Sequence, residues 1–178
     1  MSINADLKSL YNSWKQPGLQ FVSGGVVDEP SYCSSSPKMM MLLKEVNDPN
    51  SDENWSLVDL IQKQIDDRDN HEFLDTWRNV GIWSYGVHNG YAPYQDIVKY
   101  NKRENLASGL QCIATTNLKK SGGGGISNYD EIKANALKQK DLWTEEIKIM
   151  LQRAAKLTDY SGTTGSLESF TDAGSVGT

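Results

Sequence analysis

The sequence predicts an α/β fold, with a three-layer α/β/α arrangement around a central parallel sheet. Two short apolar runs, Met39–Leu43 and residues 111–116, each end abruptly in polar residues, which is typical of buried parallel strands. Amphipathic segments lie between the two runs and after the second, giving the βαβα order of a parallel sheet. The length of 178 residues is enough for one domain with its own core.

The first part of the chain is predicted to contain a helix, a loop and the first strand. Apolar side chains at helical spacing predict the helix at residues 4–15, and a Pro-Gly pair ends it. Residues 19–38 contain glycines, prolines and a run of serines, and are predicted to form a loop. The strand at residues 38–43 follows, and then a polar loop at residues 44–50.

Helices are predicted for much of the remaining chain. Asn54 or Ser56 caps the first of them, Gly81 weakens the second, and Ser127 with Asp130 marks the start of the last. They are predicted at residues 55–65, 71–85, 94–102 and 127–151, with a short helical turn at 106–110. Residues 156–178, rich in Gly, Ser and Thr, are predicted to form a weakly structured tail after a single domain at residues 1–155.

The net charge, the apolar runs and the positions of Cys and His indicate which classes of protein this sequence does not resemble. The formal net charge of -5 does not indicate a general basic surface for nucleic acid, although it does not exclude a local basic groove. No apolar run is long enough to span a bilayer, and the N-terminus lacks a signal-peptide pattern. Cys33, Cys112, His71 and His88 fit no metal spacing, so we expect free thiols in a reducing cytoplasm and no metal ion or cofactor.

Polar side chains that can carry chemistry follow both predicted strands. Glu45, Asn47 and Asp48 follow the first strand. A carboxylate at this position could orient or activate a water molecule. After the second, the amide of Asn117 offers an acceptor and two donors, which suit the edge of a nucleobase. Ligands of α/β sheets bind at the carboxyl ends of strands, whereas an ordinary turn and a cap are the alternatives here.

Four consecutive glycines, residues 122–125, follow Lys119, Lys120 and Ser121 and precede a helix. Exposed amides, a helix N-terminus and lysines attract anions, so this loop could hold a phosphate. Both standard nucleotide-binding glycine motifs are absent. A flexible linker is therefore an equal alternative.

Three segments together resemble a poorly characterised bacterial branch of the uracil-DNA glycosylase superfamily. They are MMLLKEVND at residues 40–48, Trp77 with WSYG at residues 83–86, and ATTNLKKSGG at residues 114–123. The resemblance covers about residues 24–150. It implies a parallel sheet between helices, and an enzyme that flips a modified or damaged base out of DNA and hydrolyses its glycosidic bond.

The resemblance also implies roles for particular residues. Glu45, Asn47 or Asp48 would position the water or stabilise the cationic sugar, Asn117 would read the flipped base, and Tyr32 or Tyr85 would stack on it. The DNA phosphates would be held by Lys119, Lys120, Ser121, Gly122 and Gly123.

The chain also departs from the family pattern. The first loop is not the usual Gly-Gln-Asp-Pro-Tyr, and no histidine follows His88, whereas the family closes its site with a His-containing loop after a further strand. We therefore expect the fold to be incomplete at its C-terminus, and a frame-shifted or truncated reading beyond about Met150 is one hypothesis. Two alternatives to a glycosylase remain: a catalytically inactive relative that binds nucleic acid or protein, and an unrelated nucleotide-binding α/β protein.

Overall fold

The computed structural model describes residues 2–48, 53–67, 73–91, 93, 95–96, 102–124 and 126–159, with side chains up to residue 151. Its elements are α1 (Ile3–Trp14), β1 (Val22–Ser23), β2 (Gly25–Val26), α2 (Glu29–Ser34), β3 (Met39–Leu43), β4 (Val46–Asn47), β5 (Trp55–Ser56), α3 (Leu57–Asp66), α4 (Asp75–His88), α5 (Arg103–Gln111), β6 (Ile113–Asn117), β7 (Gly122–Gly123), α6 (Tyr129–Lys138) and α7 (Lys140–Asp159). The predicted α/β class is confirmed.

The two predicted strands pair with each other. β3 and β6 are parallel and in register from Met39 opposite Ile113 to Leu43 opposite Asn117. β2 lies antiparallel on the other side of β6, so the three-stranded sheet β2-β6-β3 is mixed rather than wholly parallel. The pairs β1-β5 and β4-β7 form two further small parallel sheets.

Helices cover both faces of β6, whose five residues are all buried. Ile113 packs into a core with side chains of α3, α4 and α5, whereas Ala114 packs into a second core with α1, α2 and α7. Successive side chains of a strand point to opposite faces. Thr115 and Asn117 therefore lie on the face of β6 that α3, α4 and α5 cover, which we call the α3–α5 face. Thr116 lies on the face that α1, α2 and α7 cover, which we call the α1–α7 face.

The contact between α4 and α5 explains Gly81, which the sequence predicts as a weak point of its helix. A Cβ atom added at Gly109 would lie 2.2 Å from the Gly81 carbonyl oxygen, and one added at Gly81 would lie 2.9 Å from that of Leu106. The two helix backbones approach so closely that neither position has room for a side chain.

Several predicted element boundaries are wrong. Residues 19–38 are not one loop, because they contain β1, β2 and α2; these strands are two residues long and depend on distant partners. The turn at 106–110 belongs to the nine-residue α5. The helix at 127–151 is interrupted at Gln139 and starts from the cap Asn128 rather than Ser127.

Other predictions hold or lie outside the described part. Ser56 caps α3 as predicted, through a bond from the Asp59 amide. Most of the helix predicted at 94–102 lies outside the described residues. Residues 156–159 of the predicted tail belong to α7, and residues 160–178 are not described. Within the described ranges, no helix is long and apolar enough to cross a membrane.

Candidate functional site

The loops after β3 and β6 run side by side, as the sequence predicts. The Leu118 amide donates to the Leu43 carbonyl and the Lys119 amide to the Lys44 carbonyl, each over 2.9 Å. β4 then pairs with β7, with Val46 opposite Gly122 and Asn47 opposite Gly123. We call residues 44–48 together with residues 117–123 the edge site. The edge site contains all of the predicted catalytic and phosphate-binding residues. It also contains Asn117, which is predicted to bind the base.

Glu45 is held by an ion pair inside the edge site. The Lys119 ammonium lies 2.8 Å from Glu45 Oε2 and 2.7 Å from Glu131 Oε1, and the side chains of Lys119 and Glu45 are each only 6% exposed. Burial alone would lower the pKa of Lys119, but the bonds from Glu131 and Glu45 raise it above its ordinary value. Lys119 is therefore a firmly charged cation, and it neutralises the Glu45 carboxylate.

Asp48 is held by two side-chain donors. Its Oδ2 accepts hydrogen bonds from Gln20 Nε2 at 2.9 Å and from Trp55 Nε1 at 3.0 Å. Gln20 also accepts a bond from the Gly122 amide through its Oε1, so one side chain joins the two loops. The side chain of Asn47 is exposed.

The two glycines of β7 pack closely against the loop after β3, against backbone at Gly122 and against a side chain at Gly123. A Cβ atom at Gly122 would lie 2.1 Å from the Asp48 carbonyl oxygen, and one at Gly123 would lie 2.2 Å from the Glu45 carboxylate. The two glycines form β7, which pairs with β4, and not a linker. The Gly122 amide has Gln20 as its acceptor. Ser121 is half-buried, and residue 125 is not described.

Asn117 is fully buried at the end of β6. Neither its Oδ1 nor its Nδ2 has a hydrogen-bond partner among the described residues, and the same is true of Thr115 Oγ1 on the same face. Buried polar groups are nearly always paired, and an unpaired one typically costs about 1–3 kcal/mol. Among the described residues, this amide thus has an unpaired donor and an unpaired acceptor in the interior.

Lys120 departs most from its predicted role. Its ammonium contacts both carboxylate oxygens of Glu146 at 2.7 Å and its side chain is 1% exposed. Glu146 also accepts from Thr116 Oγ1 at 2.7 Å and from the Tyr11 hydroxyl. Burial lowers the pKa of Lys120 against the opposing effect of Glu146. A DNA phosphate could reach this lysine only after Glu146 had moved, so the predicted contact does not fit this arrangement.

The two predicted stacking tyrosines lie in α2 and α4, outside the edge site. Tyr32 is fully buried in the core on the α1–α7 face, opposite to the face of Asn117, and burial raises its pKa to about 12. Tyr85 lies in α4 one turn before His88, whose Nε2 is 2.9 Å from the Pro37 carbonyl oxygen. That contact is at the start of β3, whereas the edge site is at its end.

Two features of this region are not predicted from the sequence. Lys44 Nζ lies 2.7 Å from the hydroxyl of Tyr129, which is 68% exposed, and this contact lowers the pKa of Tyr129. The buried Glu146 is the second feature. Its signal is visible in the sequence, because Glu146 occupies the middle of an apolar stripe with Leu142 and Met150 at four-residue spacing.

No cluster of three or more His, Cys, Asp or Glu side chains suited to a metal ion occurs in the described part of the chain. Comparisons with protein-family models, with curated proteins and with solved structures find no match to this chain. The edge site itself is therefore the observation on which a function can be based.

Proposed function

We propose that this chain is a DNA glycosylase-like protein, with the three-layer fold of that superfamily, that recognises a flipped modified or damaged base and hydrolyses its N-glycosidic bond. The observation that carries the proposal is Asn117, whose buried amide has no partner for its donor or its acceptor among the described residues. The edge of a nucleobase presents complementary groups of both kinds.

The carboxylates needed for the chemistry lie at the same sheet edge. Leu43 is opposite Asn117 in the register of β3 and β6, and Glu45 follows Leu43 by two residues. A carboxylate in this position can orient a water molecule or stabilise the positive charge that develops on the sugar. Asp48 and Asn47 complete the candidate catalytic group.

DNA binding can itself prepare the site. Lys119 is the cation that neutralises Glu45, and a DNA phosphate would compete with Glu45 for its ammonium group. Transfer of Lys119 to the phosphate would release the Glu45 carboxylate at the moment when the base enters. Because Asn117 is fully buried, base entry also requires the edge site to open.

A base-release assay tests the proposal. The protein is incubated with single-stranded and duplex DNAs that each carry one modified base, in the presence of a chelator, and abasic sites are counted. We expect release from at least one DNA, and loss of that release in Asn117→Leu and in the double variant Asn47→Ala/Asp48→Ala. If none of the DNAs yields abasic sites, the catalytic proposal fails.

A non-catalytic relative that binds nucleic acid is the second candidate. It is favoured by the hydrogen bonds that occupy Asp48 and by the ion pair that occupies Glu45. This candidate predicts salt-dependent DNA association without base release. In Lys119→Ala, the slope of log affinity against log salt should fall by about one unit if Lys119 contacts a phosphate.

A further inference from the structure

A cavity of about 390 Å³ lies between α1 and the segment where β5 leads into α3. This volume is within the range of about 300–1,000 Å³ that is usual for small-molecule sites. None of the residues of the edge site lines it. It is therefore a second concave surface, independent of the proposed glycosylase site.

One wall of this cavity is cationic. Lys8 and Lys15 both line it; Lys8 lies in the middle of α1, and Lys15 is the residue that caps the C-terminal end of this helix. Both are exposed, and neither forms an ion pair with another described residue. Two ammonium groups that form no ion pair among the described residues can attract an anion such as a phosphate.

The rest of the lining is apolar and hydrogen-bonding. Val58 and Trp55 supply apolar surface, and the indole ring of Trp55 is anchored by its bond to Asp48 at 3.0 Å. Across the cavity, Asp59 in the first turn of α3 adds a carboxylate. A carboxylate beside an anion site suits a ligand that also carries hydroxyl donors, because sugar hydroxyls donate to Asp and Glu.

We infer that this cavity binds a nucleoside monophosphate. Lys8 and Lys15 hold the phosphate, Trp55 and Val58 contact the base, and Asp59 accepts a hydrogen bond from a sugar hydroxyl. Aromatic side chains bind bases of any kind by stacking, so the cavity selects a nucleotide rather than one particular base. The inference does not depend on base release at the edge site.

Thermal unfolding with AMP, UMP, adenosine and inorganic phosphate as probes tests this inference. A ligand that binds only the folded chain raises the unfolding midpoint, and the stabilisation grows with the logarithm of one plus the ratio of ligand concentration to dissociation constant. We expect both nucleotides to raise the midpoint, and adenosine or phosphate at the same concentration to raise it far less. Titration calorimetry then gives the affinity.

The variant Lys8→Ala/Lys15→Ala identifies the site. Both side chains are exposed, so the unliganded midpoint should stay the same, while nucleotide affinity falls by at least about tenfold, the usual order for losing charged contacts to a phosphate. Lys133→Ala/Lys140→Ala removes the same charge from α6 and α7 and should keep full affinity. The inference is overturned if no nucleotide shifts the midpoint, if phosphate alone acts as strongly, or if Lys8→Ala/Lys15→Ala binds normally.

Discussion

On the α1–α7 face of β6, the hydroxyl of Thr116 donates to Glu146, which also accepts from Tyr11 and Lys120. On the α3–α5 face of the same strand, Thr115 and Asn117 carry polar atoms that have no partner among the described residues. All of these side chains are buried. A paired buried group contributes to the stability of the fold, whereas an unpaired one destabilises it unless a ligand completes it. The Tyr32 hydroxyl on the α1–α7 face also has no partner among the described residues, so the difference holds along β6 itself. It assigns a structural role to Thr116 and makes Thr115 and Asn117 the candidates for binding.

Removal of Glu146 should have the largest effect. In Glu146→Ala the Lys120 ammonium is left buried without its counter-ion, and we expect a loss of about 3–5 kcal/mol in the free energy of unfolding. Glu145→Ala is the matched control, because Glu145 pairs with Lys148 at 52% side-chain exposure and such pairs contribute less than about 1 kcal/mol. Denaturant unfolding measures both. Equal losses in the two variants would contradict a structural role for the network.

The same substitution at two neighbouring positions sharpens the comparison. Thr115→Val removes a hydroxyl without a partner and should stabilise the fold by about 1 kcal/mol. Thr116→Val removes a donor to Glu146 and should destabilise it by about 1 kcal/mol or more. The two residues are adjacent and equally buried, so each serves as the control for the other. If both variants changed the free energy of unfolding in the same direction, the two faces of β6 would not differ in the pairing of their buried hydroxyls.

Alkaline pH should give a smaller effect at Tyr32. Burial raises the pKa of this phenol from 10.0 to about 12, so its contribution to stability is complete below pH 10 and is lost as the pH rises towards 12. Tyr32→Phe removes this titration. We expect the variant to gain roughly 1 kcal/mol relative to the wild type between pH 8 and pH 11. A difference that does not change with pH would show that Tyr32 is accessible, as the predicted stacking role requires.

Local sequence patterns predict most of the longer helices and strands. The elements that the sequence does not predict depend on contacts between residues far apart in the chain. β3 and β6 are recognisable because each is a continuous apolar run that ends in polar residues, and α1 and α3 because of their periodicity. β1 and β2 escape prediction because each has two residues and depends on partners far away, namely β5 and β6.

At the candidate site, the sequence predicts that the two loops lie side by side. It does not predict which carboxylate each lysine pairs with. Lys119 and Lys120 are adjacent and look equivalent in the sequence. In the structure Lys119 pairs with Glu45 and Glu131, and Lys120 pairs with Glu146 on the opposite face. The two side chains point to different sides of the sheet edge. Their partners come from the loop after β3, from α6 and from α7.

Asn117→Leu tests the central claim most directly, because leucine has the same branching and no polar atoms. If the buried amide of Asn117 serves to bind a ligand, the variant should be more stable than the wild type by about 1–3 kcal/mol. It should also lose both base release and DNA binding. The stability is measured by denaturant unfolding and the binding by a titration with modified DNA at fixed salt. A variant that is less stable than the wild type, or that still releases the base, would contradict the claim.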